Sequence, residues 1–126
     1  MEHPIVDKIL KDGIDSVNLS MLDLQAKKKI LTDVGEKLFK QGKFREAVRI
    51  AEESGDIQKL ESWGDSFLTE GKGELAALCF IPSKDKERLN NAAVLCIQAK
   101  NYQLAAKSYE AADNMQMASF IRQNFC

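Results

Sequence analysis

Apolar and small residues along the chain recur at a fixed spacing of 29 positions. Gly42 and Gly71 are separated by this distance, and Lys100 follows Gly71 at the same distance. An alanine lies five positions after each of these residues, namely Ala47, Ala76 and Ala105. A constant period of this length is typical of repeat proteins, whose units bury their apolar faces against their neighbours.

Six more columns of residues keep this register through all three units. They are Leu31, Leu60 and Leu89; Val34, Trp63 and Ala92; Gly35, Gly64 and Ala93; Leu38, Phe67 and Cys96; Ala51, Phe80 and Tyr109; and Ser54, Ser83 and Ala112. The apolar columns lie three or four positions apart, which is the spacing of one face of an α-helix. Each unit therefore predicts two helices, the first at 28–41, 57–70 and 86–99 and the second at 44–54, 73–82 and 102–112.

The residues between the predicted helices can stop one helix and start the next. Gly42 and Gly71 can adopt the left-handed conformation that ends a helix, and Asn101 is the expected substitute in the third unit. The turns between units supply Asp or Asn side chains as N-caps, at 54–56, 83–85 and 112–114.

Two glycines fall in the middle of predicted helices, where each costs ~1 kcal/mol relative to alanine. Gly35 and Gly64 lie beside apolar positions, so we expect the second helix of each unit to pack very closely against them. The small residues that face them should be Ala47 and Ala76.

The two ends of the chain depart from the repeat. Pro4 opens a short predicted helix that ends near Gly13, and Ser20 followed by Asp23 predicts a capping box for a long helix that runs to Gln41. After the third unit, four residues continue the first-helix pattern: Met115, Ala118, Ile121 and Phe125. Arg122 takes the small-residue position there, so we expect a polar capping helix. Polar ends of this kind are the pattern expected of a complete protein.

The order of these columns resembles the tetratricopeptide repeat over residues 28–114. The chain departs from that family in its period, 29 residues where the family has 34, in the position of Trp63 and in the absence of the late proline. Shorter repeats of this kind are also similar to the helical arms of coatomer and intraflagellar-transport scaffolds. The resemblance implies an all-α, right-handed α-α superhelix of about three repeats.

On this interpretation the whole chain, 1–126, is a single solenoid domain. Its parts are an N-terminal segment, three repeats and a C-terminal capping helix, at 1–20, 21–56, 57–85, 86–114 and 115–126.

In proteins of this family, one stripe of the first helices lines a concave groove that binds a partner. The matching positions are Lys29, Thr32, Glu36 and Phe39; Gln58, Glu61, Asp65 and Leu68; and Glu87, Asn90, Val94 and Ile97. We call these twelve residues the stripe. The stripe contains four acidic residues and one lysine, so the expected partner is a basic and apolar segment of another protein.

Three apolar stripe residues recur at the repeat period: Phe39, Leu68 and Ile97. They either form a row that accepts apolar anchors of a partner, or fill the junctions between neighbouring units, as apolar helix stripes usually do. The N-terminal helix poses a similar alternative. Its apolar residues, Ile5, Val6, Ile9 and Leu10, either cap the first repeat, which is the simpler interpretation, or fold over the groove as a removable lid.

Several other functions are not expected. His3 is the only histidine, and no phosphate-binding loop or metal motif is present, so the sequence predicts no enzyme, no cofactor and no metal site. A net charge of -1 gives no electrostatic footprint for nucleic acid, and no apolar run is long enough for a membrane span. Cys79, Cys96 and Cys126 are expected as free thiols in a cytoplasmic protein.

Two alternatives to an adaptor remain open. The chain could be a building block that joins copies of itself or a larger scaffold, in which case Phe44 and Tyr102 in the outer turns would matter more than the groove. An RNA-binding helical repeat is a more distant third. The sequence does not define the oligomeric state.

Overall fold

The computed structural model describes residues 4–14 and 22–126. These residues form eight α-helices and no β-strand. The helices are α1 Pro4–Asp12, α2 Leu24–Lys40, α3 Phe44–Ser54, α4 Ile57–Thr69, α5 Gly73–Ser83, α6 Lys86–Gln98, α7 Tyr102–Ala111 and α8 Met115–Phe125. The chain divides into two compact units, Met1–Asp56 and Ile57–Cys126.

In the first unit, α2 and α3 pack together as a helical hairpin. The carboxylate of Asp23 caps α2 by accepting the backbone N–H of Ala26 at 2.7 Å, so the helix begins at Leu24. Asp23 is therefore the N-cap itself, and the predicted capping box is wrong in its register; its other member, Ser20, lies outside the described residues. Gly42, with φ of 80°, follows the end of α2 as predicted.

The N-terminal helix α1 packs on α2. Val6 and Ile9 are buried, whereas Ile5 and Leu10 are only partly buried. Two of the four apolar residues of this helix thus belong to the core of the first unit.

The second unit contains two further hairpins, α4 with α5 and α6 with α7, and α8 packs on α7. The first helices α4 and α6 contact each other, as do the second helices α5 and α7. The predicted columns supply part of the core, with fully buried side chains at Leu60, Leu89, Ala76, Ala105 and Phe80, and residues outside the columns such as Ala77 and Cys79 supply the rest. The observed helix bounds in this unit agree with the predicted bounds to within one residue.

The turn before α7 differs from the expectation. Lys100, not Asn101, adopts the left-handed conformation, with φ of 62°. Asn101 instead caps α7, because its side-chain oxygen accepts the N–H of Leu104 at 3.2 Å. The predicted caps Asp85 and Asn114 are confirmed at the starts of α6 and α8.

Gly64 is indeed at a close helix contact, but its neighbour is not Ala76. A Cβ atom placed on Gly64 would lie 2.2 Å from Cε1 of Phe80, whose ring is fully buried. The glycine on α4 therefore makes room for an aromatic ring on α5.

The C-terminal helix α8 is less polar on its outer surface than the pattern predicted. Ala118 and Ile121 are buried, but Met115, Phe120 and Phe125 are each about half exposed. The other exposed residues of this helix are polar, so its outer surface is mixed; they are Gln116, Ser119, Arg122, Gln123 and Asn124.

Candidate protein-binding face

The stripe residues of the first unit lie along α2. Lys29 is exposed, and Thr32, Glu36 and Phe39 are partly buried. The ring of Phe39 packs edge-on against Phe44 at the start of α3, with centroids 5.1 Å apart. This contact covers part of the Phe39 ring within the hairpin, so only the rest of the ring is exposed to solvent.

In the second unit the stripe residues lie on α4 and α6. Gln58, Glu87 and Val94 are exposed. The others are partly buried: Glu61, Asp65, Leu68, Asn90 and Ile97.

Arg88 on α6 connects the two stripe segments of the second unit. Its guanidinium donates two parallel hydrogen bonds to the carboxylate of Asp65, from Nε at 2.8 Å and from Nη2 at 3.0 Å. Nη1 donates to Glu61 at 3.0 Å and to Asp85 at 2.9 Å. The stripe acids of α4 therefore lie directly beside the first turn of α6.

This cluster is net negative, because one guanidinium is shared among three carboxylates. The backbone N–H of Arg88 and its guanidinium hold the pKa of Asp85 below its ordinary value. The hydrogen bonds and charge of Asp65 raise the pKa of Arg88 further, so the guanidinium stays charged. A cation of a binding partner would meet a surface with unbalanced negative charge.

Arg88 is not among the residues predicted from the sequence, because it lies one position outside the stripe on α6. Its distance from Glu61 is 27 residues and from Asp65 23 residues, slightly less than one repeat. If first helices of neighbouring repeats lie side by side, such a spacing places a long cationic side chain opposite both acids. This spacing is the sequence feature from which the contact of Arg88 with the two acids could be predicted.

Two other stripe residues of α6 have unusual surroundings. Val94 is 46% exposed although it is apolar. The side-chain oxygen of Asn90 is buried and has no hydrogen-bond partner among the described residues. An acceptor left in this state costs free energy, about 1–3 kcal/mol, relative to a satisfied one.

Ile97 has a different environment from Val94. Together with Tyr102 and Met117 it packs against the buried cluster of α6, α7 and α8, which consists of Ala93, Ala106, Tyr109, Ala118 and Ile121. Its side chain thus serves mainly as packing at this junction. The three apolar stripe residues that recur at the repeat period, Phe39, Leu68 and Ile97, are all partly buried.

A cavity of about 380 Å³ lies in the first unit, between α1, α2 and α3. Its described lining is mostly apolar and consists of Ile9, Leu10, Gly13, Ile14, Val34, Leu38 and Ile50, together with the cations Lys11, Lys43 and Arg49 and the acid Glu46. None of these is a stripe residue, and among them there is no thiol, imidazole or hydroxyl group. The cavity is therefore separate from the candidate face.

Within the described ranges, no group of three or more His, Cys, Asp or Glu side chains is arranged to hold a metal ion. No helix in the same part of the chain combines the length and the apolar character needed to cross a membrane. Comparison of the chain with protein-family models, curated proteins and solved structures finds no match.

Proposed function

We propose that the chain is a tetratricopeptide-like α-solenoid of about three repeats that acts as a non-catalytic adaptor or scaffold. In this proposal a basic and apolar segment of another protein binds along the stripe. The supporting observation is the bidentate contact between Arg88 and Asp65, because it brings the stripes of α4 and α6 onto one continuous surface. A groove of adjacent first helices requires this arrangement.

The chemistry of the partner follows from the same surface. The carboxylates around Arg88 exceed its single positive charge, and Glu87 adds a further exposed acid on α6. Val94 offers exposed apolar area about two turns further along the helix than Glu87. Basic side chains that flank an apolar anchor would complement both features. The same negative charge argues against RNA as the ligand.

We place this function in the cytoplasm as part of the proposal. Cys79, Cys96 and Cys126 are free thiols, which is the usual state of cysteines in a reducing compartment.

The adaptor proposal can be tested with three matched baits. The wild type, Val94→Arg and Gln103→Arg are immobilised and incubated with lysate of the native source at low and moderate salt. Both substitutions add the same charge at exposed positions, but Gln103 lies on α7, outside the stripe. A polypeptide retained by the wild type and by Gln103→Arg, but lost from Val94→Arg, supports binding at the stripe.

The outcome that contradicts the proposal is equally specific. If all three baits retain the same polypeptides in equal amounts, the stripe is not the binding surface. If no polypeptide is retained above an empty matrix at either salt concentration, the adaptor function is contradicted as well.

A further inference from the structure

The cavity between α1, α2 and α3 has apolar walls. Ile9 of α1, Leu38 of α2 and Ile50 of α3 line it, and all three side chains are buried. Leu10 near the end of α1 and Ile14 after it are partly buried and complete the apolar lining on that side. The volume of about 380 Å³ lies within the range of ~300–1,000 Å³ in which proteins bind small molecules.

The repeat accounts for the position of this cavity. Gly13 lies 29 positions before Gly42 and also has a positive φ, 92° against 80°, so α1 ends as the first helix of a repeat does. In the second unit, α5 packs on α4, α6 and α7. The helices that correspond to these three in the first unit are α1, α2 and α3, which surround the cavity. The cavity thus lies where the repeat places a second helix.

The connection that precedes α2 is shorter than the later connections. α2 begins 11 positions after Gly13, whereas α4 and α6 begin 15 positions after Gly42 and Gly71. Four residues fewer are therefore available at the place where the later repeats have a complete second helix. In addition, α1 packs on α2 and not on α3. The space between α1 and α3 is consequently not closed by direct packing of these two helices.

Three cations and one acid stand at the edge of the cavity. Lys43, Glu46 and Arg49 follow one another at three-residue intervals at the start of α3, and Lys11 comes from α1. All four side chains are exposed. Within the described part of the chain, no ion pair engages any of the three cations. The edge therefore has an excess of positive charge above apolar walls.

We propose that this cavity binds a single-chain aliphatic anion, such as a medium-chain fatty acid. The alkyl chain lies against the apolar walls, and the carboxylate lies among the cations at the edge. At ~30 Å³ for each water-sized group, the cavity holds about twelve non-hydrogen atoms, the size of decanoate. A two-turn helix, ~10 Å wide and ~11 Å long, needs roughly 850 Å³, so a helix of a partner protein does not fit. The site is separate from the stripe and does not depend on the adaptor function.

Isothermal titration calorimetry of the full chain with decanoate near neutral pH tests this proposal. Decanoate should bind saturably, with one molecule per chain. Octanoate is two methylene groups shorter and should bind about tenfold more weakly, because less apolar surface leaves water. Decylammonium has the same chain with the opposite charge and should also bind at least about tenfold more weakly than decanoate. Absence of saturable binding, or equal binding of decanoate and decylammonium, overturns the proposal.

The cationic edge is tested by the double variant Lys11→Gln, Arg49→Gln. Loss of both charges should weaken decanoate binding about fivefold. The matched control is Lys28→Gln, Lys107→Gln, which removes the same charge from exposed positions of α2 and α7 that do not line the cavity. This control should bind decanoate like the wild type. Equal affinities of the two double variants would contradict the proposed position of the carboxylate.

Leu10→Trp tests the apolar walls, because the larger indole ring should fill the cavity and abolish binding. Leu24→Trp makes the same exchange at a side chain that is 84% exposed and does not line the cavity, so binding should persist. Circular dichroism confirms that both variants keep their helices. A folded Leu10→Trp variant with full affinity overturns the proposal. If this variant does not fold, amide NMR of the wild type decides, since decanoate should shift resonances of α1 and α3, and shifts confined to α7 and α8 would place the ligand elsewhere.

Discussion

Gly73 lies so close to Leu95 that no side chain fits between them. A Cβ atom on Gly73 would be 2.3 Å from Cβ of Leu95 and 3.2 Å from its carbonyl carbon. The thiol of Cys96 donates to the carbonyl oxygen of Gly73 at 3.6 Å, so the start of α5 is held against the backbone of α6. A glycine at this position lets the two helices approach to backbone contact.

Gly73→Ala should therefore destabilise the protein. The clash involves the backbone of α6, which cannot move aside as a flexible side chain can, so we expect a loss of ~1–3 kcal/mol in the free energy of unfolding. Urea denaturation measures this loss. Gln103→Ala, at an exposed position of α7, is the control and should change stability by less than ~0.5 kcal/mol. A Gly73→Ala variant as stable as the wild type would contradict the close contact.

The helices could be predicted because their signals are local. The 29-residue columns mark the buried side of each helix, and turn residues such as Gly42 and Gly71 mark the ends. The periodicity also placed Glu61 and Asp65 on one face. It could not show that Arg88 of another helix engages both, because a contact between helices depends on their packing and on the reach of a long side chain.

The packing partners of the glycines could not be predicted from the sequence for the same reason. Periodicity shows that Gly64 faces α5, but the length of the Phe80 side chain decides that the ring, and not Ala76, fills the space. Gly73 shares its column with the large residues Phe44 and Tyr102, so the column does not predict that Gly73 packs against the backbone of α6. The exposure of Phe125 likewise depends on which elements pack on α8, and the helix pattern does not specify them.

Lys100→Gly should stabilise the protein. Lys100 shares its column with Gly42 and Gly71 and has the same positive φ, 62° against 80° and 77°. A side chain in this conformation costs ~1–2 kcal/mol. Glycine removes that cost but loses more chain entropy on folding, which offsets part of the gain. We expect a net gain of ~0.5–1 kcal/mol in urea denaturation. Lys107→Gly, inside α7, should instead lose ~1 kcal/mol. A loss at both positions would show that Lys100 is not strained.

Gly64 and Phe80 should be energetically coupled. Gly64→Ala alone forces the buried ring of Phe80 to move and should cost ~1–3 kcal/mol. Phe80→Leu removes Cε1 and Cζ of the ring, two of the three atoms nearest to an added methyl group, so Gly64→Ala should cost less when Phe80→Leu is already present. A double-mutant cycle from urea denaturation gives the coupling, for which we expect at least ~0.5 kcal/mol. Additive losses would mean that the ring is not the obstacle.

The three cysteines should differ sharply in reactivity. Burial raises the pKa of Cys79 to about 12, and burial together with the charge of Glu74 raises the pKa of Cys96 to about 11. The reactive species is the thiolate, so both buried thiols should be inert at pH 8, whereas exposed Cys126 should react with a disulfide reagent. Titration should give one reactive thiol in the folded protein and three in urea. Cys126→Ser should abolish the reaction of the folded protein, and a second fast thiol there would contradict the burial.

Asp85→Asn separates the charge of this residue from its capping role, because asparagine caps a helix as well as aspartate does. The pKa of Asp85 is lower in the folded chain than its ordinary 3.8, so its charge contributes stability above that pH and loses the contribution as pH falls through the folded pKa. The variant should therefore melt below the wild type at pH 7, and the two melting temperatures should converge as the pH falls below about 4. Glu87→Gln removes an acid from the same helical turn outside the Arg88 cluster, and its effect at pH 7 should be smaller. A difference for Asp85→Asn that persists unchanged to pH 2 would assign its effect to something other than the charge.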